Sequence, residues 1–301
     1  MWAHNNVIII GESLAKEGIA PVVDFFTHNP ELRMKTVVVV SRGDEKEYLA
    51  AKAGMESPPG VSFILLENYR SLVGDSVESH MLEVSSSLKN KYSNPLISVI
   101  SIKKSIIQSG LSDNTKKEAD TIELSGSAVF KKDKLIGWLS PEESLGVAWV
   151  INQTHDTLVT VSDPEHGSKS VSVETFGVRA KIKTRVIDGM PLISIYITGA
   201  GDIVEEDGST NQSMSEVKEQ VTKLVNQKIE DEIKSSLEVA QKKYGVDVFG
   251  FAAIVHAQND AKWENGLKDK WDSIFPRIPV TVSADITIES STLNQEPVNI
   301  D

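Results

Sequence analysis

Between Val178 and Val186 the chain alternates without exception. Val178, Ala180, Ile182, Thr184 and Val186 fall on one parity, and Arg179, Lys181, Lys183 and Arg185 on the other. A period of two belongs to a β-strand, and a slip of one residue would exchange its dry and wet faces, so the register is tightly specified. Asp188-Gly189 follows at once, a dipeptide suited to the positive φ values of a type I′ turn. The run PLISIYIT, from Pro191 to Thr198, then reads as the returning strand.

The chain after this hairpin is equally periodic. Ser213 and Glu216 have the spacing of a helix capping box. Met214, Val217, Val221, Leu224, Ile229, Ile233, Leu237 and Ala240 recur at helical intervals as far as Tyr244, and Gly245 is the natural stop. Such a helix of about 30 residues would be roughly 45 Å long. VDVFGFAAIVH, from Val246 to His256, reads as a strand. Trp263, Leu267, Trp271 and Ile274 share one face of a short helix, and Ile278, Val280, Val282, Ala284, Ile286 and Ile288 alternate as a half-buried strand. The C-terminal unit is therefore expected to run β-β-α-β-α-β, its long helix packed on an antiparallel sheet.

Earlier segments are shorter. Asn6–Gly11 and Met34–Gly43 read as buried strands. Helices are expected over ESLAKEGIAPVVDFFTHN, with a break near Gly18 and Pro21, over DEKEYLAAKA, near Phe63–Leu72 and over Ser76–Asn90. NPLISVISIKK is a strand leaving this lobe, and the polar stretch Gln108–Asp120 a loop. Two strands meet at a turn on Lys132-Asp133. Ser140 caps a helix that has Pro141 at its first position and Glu142 and Glu143 in its first turn. The fold class expected is α+β, with three small mixed α/β domains over residues 1–95, 96–173 and 174–301, the last carrying the long helix 213–244.

Composition narrows the function. Lys plus Arg number 31 against 43 Asp plus Glu, a net charge of −12 over 301 residues. So acidic a surface repels a phosphate backbone, which argues against nucleic acid as a partner. The chain has no cysteine, so thiol nucleophiles and zinc–thiolate sites are excluded. No run of 18 apolar residues occurs. The opening MWAHNNVIIIG has no basic start and no cleavage site, and reads as a strand entered abruptly.

Catalytic and ligand motifs fail on spacing. VIIIGESLAKEG lacks the second glycine of G-x-G-x-x-G and any G-K-[ST]. TGAGD at Thr198–Asp202 reads as a turn, and DPEHG at Asp163–Gly167 as a Pro-Gly loop. DIVEEDG at Asp202–Gly208 misses the alternation of a calcium loop. His256 ends the expected strand with no second histidine at metal spacing, and the tryptophans beside it read as core. No catalytic, cofactor or metal residue is assigned, and no cofactor is expected. The basic stripe Arg179, Lys181, Lys183 and Arg185 is the candidate partner-binding surface. Its alternative is a solvated face relieved by carboxylates on a neighbour such as the long helix.

GSAVFKKDKLIGWLSPEESLGVAWVIN (Gly126–Asn152) and VDVFGFAAIVHAQNDAKWENGLKDKWDSIFPRIPVTVSADITI resemble the C subunits of spore germinant receptors, the GerAC-like lipoproteins. The shared pattern is Gly-x-Ala-x-Phe, a turn, Leu-x-Gly-x-Leu and an aromatic helix, then a long helix, a Trp…Trp helix and an alternating last strand. It covers about residues 120 to 290, and VIIIGESLAKEGIAPVVDFF and KTVVVVSRG extend it more loosely to the N-terminal lobe. The resemblance implies a non-enzymatic subunit of three α+β domains, lipid-anchored on the outer face of the spore inner membrane. It also implies that the subunit acts with the receptor's A subunit and its integral-membrane B subunit in nutrient-triggered germination. The chain has no cysteine to lipidate, and its first strand starts where the family already has some tens of residues. It is therefore expected to be N-terminally truncated and soluble by itself. An interaction subunit is the first functional expectation. The alternative is a small-ligand module binding a nutrient in the cleft between the N-terminal and middle lobes.

Overall fold

A computed structural model describes residues 5–43, 48, 76–108, 116–154, 156–162, 170–206 and 214–291. The helices expected over DEKEYLAAKA (Tyr48 apart) and Phe63–Leu72, the loop DPEHG and the cap at Ser213 lie outside these residues.

The strands form two sheets. The first has the order β1 (Val7–Gly11), β2 (Val37–Ser41), β3 (Leu96–Gln108), β4 (Lys116–Lys131), β5 (Lys134–Leu139). β1, β2 and β3 run parallel, and β3–β4–β5 antiparallel. Parallel strands covered on both faces need near-continuous apolar runs, which VIII and VVVV provide. Ile8, Ile10, Val38, Val40, Ile97 and Val99 are buried with Ala15, Ile19, Val23 and Met81. Those last four come from, or lead into, the helices α1 (Glu12–Glu17), α2 (Ala20–Thr27) and α3 (Met81–Lys89). The break between α1 and α2 falls at Gly18, φ 137°, as expected.

The segment Gln108–Asp120 is not all loop, because Lys116–Asp120 pairs with Lys104–Gln108 as the start of β4. Ladder hydrogen bonds come from the backbone, so a polar segment can still extend a ribbon. The boundary expected at 95/96 divides the first sheet between β2 and β3, and that at 173/174 falls within a strand of the second sheet, Ser170–Ile187. Beyond β5, Ser140 accepts from the Glu143 amide, and the Glu143 carboxylate accepts from Ser140 N, a complete capping box opening α4 (Pro141–Val150).

The second sheet has the order β6 (Thr157–Ser162), β7 (Ser170–Ile187), β8 (Met190–Glu206), β9 (Val280–Ser291). The β7–β8 hairpin turns at Asp188 (φ 50°) and Gly189 (φ 77°), the conformation that the dipeptide predicts. Gly177, at φ 61°, lies in a bulge between Phe176 and Arg179. The extra residue switches the buried parity from Val171 and Val173 to Val178 and the even positions that follow. Thr198–Asp202 lies within β8 and is not a turn. A Cβ on Gly201 would come 2.7 Å from Val173 Cγ1, so the glycine there serves close packing.

The helices between β8 and β9 cover one face of this sheet. α5 (Met214–Glu238) continues through a wide π turn, Val239–Tyr244, and stops at Gly245, φ 62°. Val217, Val221, Val225, Ile229, Ile233, Leu237 and Ala240 are buried in one core with Ile193, Ile195 and Ile197 of β8, whereas Leu224 is exposed.

The segment Val246–His256 is not a strand: Phe251–Gln258 is helix α6. The buried Asp247 carboxylate accepts from the amides of Phe249 and Phe251 at 3.1 Å and of Ala252 at 2.8 Å, and so gathers the orphan donors of a helix start. A short turn, Asp260–Lys262, and a wide turn, Trp263–Leu267, lead into α7 (Lys268–Ile274). The chain kinks at Gly266, φ 129°, yet Trp263, Leu267, Trp271 and Ile274 are all buried. This long crossover returns β9 parallel to β8, so the sheet is mixed, not purely antiparallel. The unit reads β-β-β-α-α-α-β from β6.

Two contacts fasten the halves. Tyr244 accepts from Trp138 N at 3.0 Å and donates to Trp138 O at 2.8 Å. Gln153 likewise takes both the amide and the carbonyl of Glu78.

Candidate interaction surface

Arg179, Lys181, Lys183 and Arg185 all project from the face of the second sheet opposite the helices, and all are exposed. Pairing sets them in cross-strand rows with β8 and β9. Arg179 lies beside Thr198 and Asp285, Lys181 beside Tyr196 and Ser283, and Lys183 beside Ser194 and Thr281. The Lys183 ammonium sits 5.4 Å from the centroid of the Tyr196 ring, which is 40% exposed. None of the four cations has an ion-pair partner within 4.0 Å among the described residues. The long helix cannot supply one, because it packs on the opposite face, where Glu219, Glu230, Asp231 and Glu232 serve other bonds. The alternation was legible in sequence, but the lack of a partner needed the sheet packing.

The edges beside this face are closed. Beyond the end of β6, β7 is an edge strand whose peptide groups meet side chains instead of a neighbour. Asn152 accepts from Ala180 N at 2.7 Å, Gln258 accepts from Thr184 N at 2.8 Å and donates to Ile182 O at 2.9 Å, and Lys262 donates to Val186 O at 2.7 Å. At the β9 edge, Glu230 accepts from Ala284 N, Asn226 accepts from Ile286 N, and Lys218 donates to Glu289 O. Covered edges suppress strand addition. No sequence pattern pointed to these caps, since each joins residues far apart in the chain.

Buried charge is engaged inside the fold. Glu232, 8% exposed, accepts from Trp149 Nε1 at 2.8 Å, and burial pushes its carboxyl above the usual range against that hydrogen bond. Burial also raises Asp247, to about 6, partly opposed by its bonds from backbone amides. Gln241 donates to Phe275 O and Ile278 O at 2.9 Å each.

His256, placed by sequence at a strand end, lies on helix α6 and is exposed. Its Nε2 is 3.1 Å from Asp260 Oδ1 and 3.8 Å from Glu264 Oε1. Three candidate metal-ligand atoms thus come within 4.8 Å of one another, a grouping missed because the segment read as a strand. Lys268 pairs with Glu264 at 2.5 Å and, through that hydrogen bond, holds the Glu264 carboxyl below its usual range. The His256 ring stacks on Trp263 at 5.4 Å. This is an exposed ladder of charge along a helix surface.

One cleft, of about 440 Å³, is lined by Val150, Ile151, Asn152, Ala180, Ile182, Phe249, Gly250 and Ile254. Its Asn152 amide is already committed to the β7 edge.

The fold is α+β, two mixed sheets under helices with a cationic sheet face turned outward. Residues 125–292 match the family model for spore germination B3/GerAC like, C-terminal, and residues 1–102 match that for the spore germination protein N-terminal domain. The chain belongs to this GerAC-like family, the C subunits of spore germinant receptors. It is 27% identical over 295 residues to putative spore germination protein YfkR of Bacillus subtilis (strain 168), covering 95% of this chain and 71% of that protein. It is 25% identical to spore germination protein KC of the same organism, covering 99% of this chain and 74% of that protein. The solved structure of the GerBC protein is similar in fold, with a TM-score of 0.69 at 20% identity, over 95% of this chain and 79% of that one. No helix among the described residues is long and apolar enough to cross a membrane.

Proposed function

We propose that this chain is a non-catalytic interaction subunit of a spore germinant receptor, held at the outer face of the spore inner membrane. It docks with the receptor's A subunit and its integral-membrane B subunit and contributes to nutrient-triggered germination through those contacts. One observation carries the proposal: the buried carboxylates Glu232 and Asp247 are hydrogen-bonded inside the fold, while a row of cations on an open sheet face has no ion-pair partner among the described residues. Desolvated, hydrogen-bonded carboxylates such as Glu232 and Asp247 hold helices in place here.

The test is co-expression of the tagged chain with the A and B subunits, followed by purification on the tag. Both subunits should be retained at near-stoichiometric yield. Their absence from the eluate, together with a rise in melting temperature on adding a nutrient amino acid or sugar, would favour a ligand-binding module. A ligand at 100 times its Kd should stabilise the fold by about 2.7 kcal/mol.

A further inference from the structure

We propose that the outer face of the β7–β9 sheet is a docking groove for an extended acidic segment of a partner protein, lying along β7 with its carboxylates over Arg179, Lys181, Lys183 and Arg185. This rests on the proposal that the chain is an interaction subunit, and names the chemistry of what it binds.

Alternate residues on a strand are about 7 Å apart, so the four cations form a line roughly 20 Å long. An extended segment with acidic residues at every second position has the same repeat. Most positions beside the line are hydroxyls, Ser194 and Thr198 on β8 and Thr281 and Ser283 on β9, with Tyr196 beside Lys181, Leu192 beside Arg185 and Asp285 beyond Thr198. Hydroxyls donate to carboxylates without adding repulsion. The partner must take the face and not an edge, because side chains of Asn152, Gln258, Asn226 and Glu230 already occupy the peptide groups at both edges.

Charge pattern separates a linear partner from a planar one. Asp285 stands in the same cross-strand row as Arg179, and exposed Glu174 lies farther along the outer face of β7. An anionic lipid surface would have to meet both carboxylates. A segment running along β7 between Arg179 and Arg185 avoids them. The positive line also sits on a chain of net charge −12, so it is a local attractor and not part of a general basic surface.

The test has two arms on the intact chain. The first measures binding of a fluorescent decapeptide of alternating Glu and Thr, with a Lys–Thr decapeptide as control. The acidic peptide should bind. Binding should fall at least about tenfold in K181E/K183E, with unchanged melting temperature, and fall again when salt rises. Failure to bind, or equal binding by the double variant, overturns the proposal. The second arm is sedimentation with phosphatidylglycerol and phosphatidylcholine vesicles. Preferential sedimentation with phosphatidylglycerol that K181E/K183E abolishes would assign the stripe to membrane and also overturn it. If co-purification succeeds for wild type and double variant alike, the stripe proposal fails while the interaction subunit stands. If co-purification fails for both, the peptide arm still decides the chemistry of the face.

Discussion

At the scale of single residues, Asp247 shows how one side chain redirects a segment. Its neighbours Val246, Val248, Phe249 and Phe251 are apolar, and such a run fits a buried strand as well as a buried helix. The carboxylate decides by collecting the amides of Phe249, Phe251 and Ala252. That one acid in an apolar run would cap a helix was not legible from spacing. Its pKa is raised by burial from 3.8 to about 6. The folded state therefore holds the proton more tightly than the unfolded state. The contribution is full below about pH 4 and is lost as pH rises through about 6. Relative to Asp247→Asn, the wild type should be more stable at pH 4 than at pH 7, by on the order of 3 kcal/mol at 1.36 kcal/mol per pKa unit. Urea melts of both proteins at the two pH values check this. An unchanged difference would mean that Asp247 ionises in the folded state as freely as in the unfolded one.

Elements were legible where the signal was local. The Asp188-Gly189 hairpin, the Ser140 capping box and the Gly245 stop each rest on a few adjacent residues, and each lies where the spacing puts it. Long-range pairing was not legible: the parallel return of β9 and the continuation of β4 into Lys116–Asp120 depend on a partner strand. The α4–α5 crossing is another such case. A Cβ on Gly146 would lie 2.0 Å from Ser236 Oγ and 2.2 Å from Glu232 O, so Gly146→Ala should cost about 1–3 kcal/mol in chemical denaturation by forcing the helices apart. The tryptophan segment supplies a paired prediction. Trp263, 1% exposed, packs against Trp271 at 5.4 Å and Tyr92 at 5.0 Å. Trp263→Ala should cost about 3–5 kcal/mol. His256→Ala, on the solvent side of the same ring, should change the melting temperature little. The reverse order would mean that the histidine cluster, not the aromatic packing, holds this region.

For the whole molecule, the asymmetry of the second sheet matters most. One face carries α5, α6 and α7 over a shared core, and the other carries the hydroxyl rows and the cationic line. The line of cations could be read from the alternation alone. Whether carboxylates relieve it depended on which face the long helix covers, and no local pattern encodes that. The closed edges at β7 and β9 leave the face as the open route to a partner, and they should also keep the isolated chain from adding strands to itself. Gln258→Ala, which uncovers Ile182 O and Thr184 N, should accelerate aggregation in light scattering while lowering stability by about 1–3 kcal/mol.

Lysine footprinting by mass spectrometry, on the free chain and on the chain co-purified with its receptor partners, bears most directly on the account. Lys181 and Lys183 should lose reactivity in the complex, while Lys223 and Lys234 on the exposed side of α5 keep theirs. Shielding of Lys223 and Lys234 with Lys181 and Lys183 still fully reactive would contradict it.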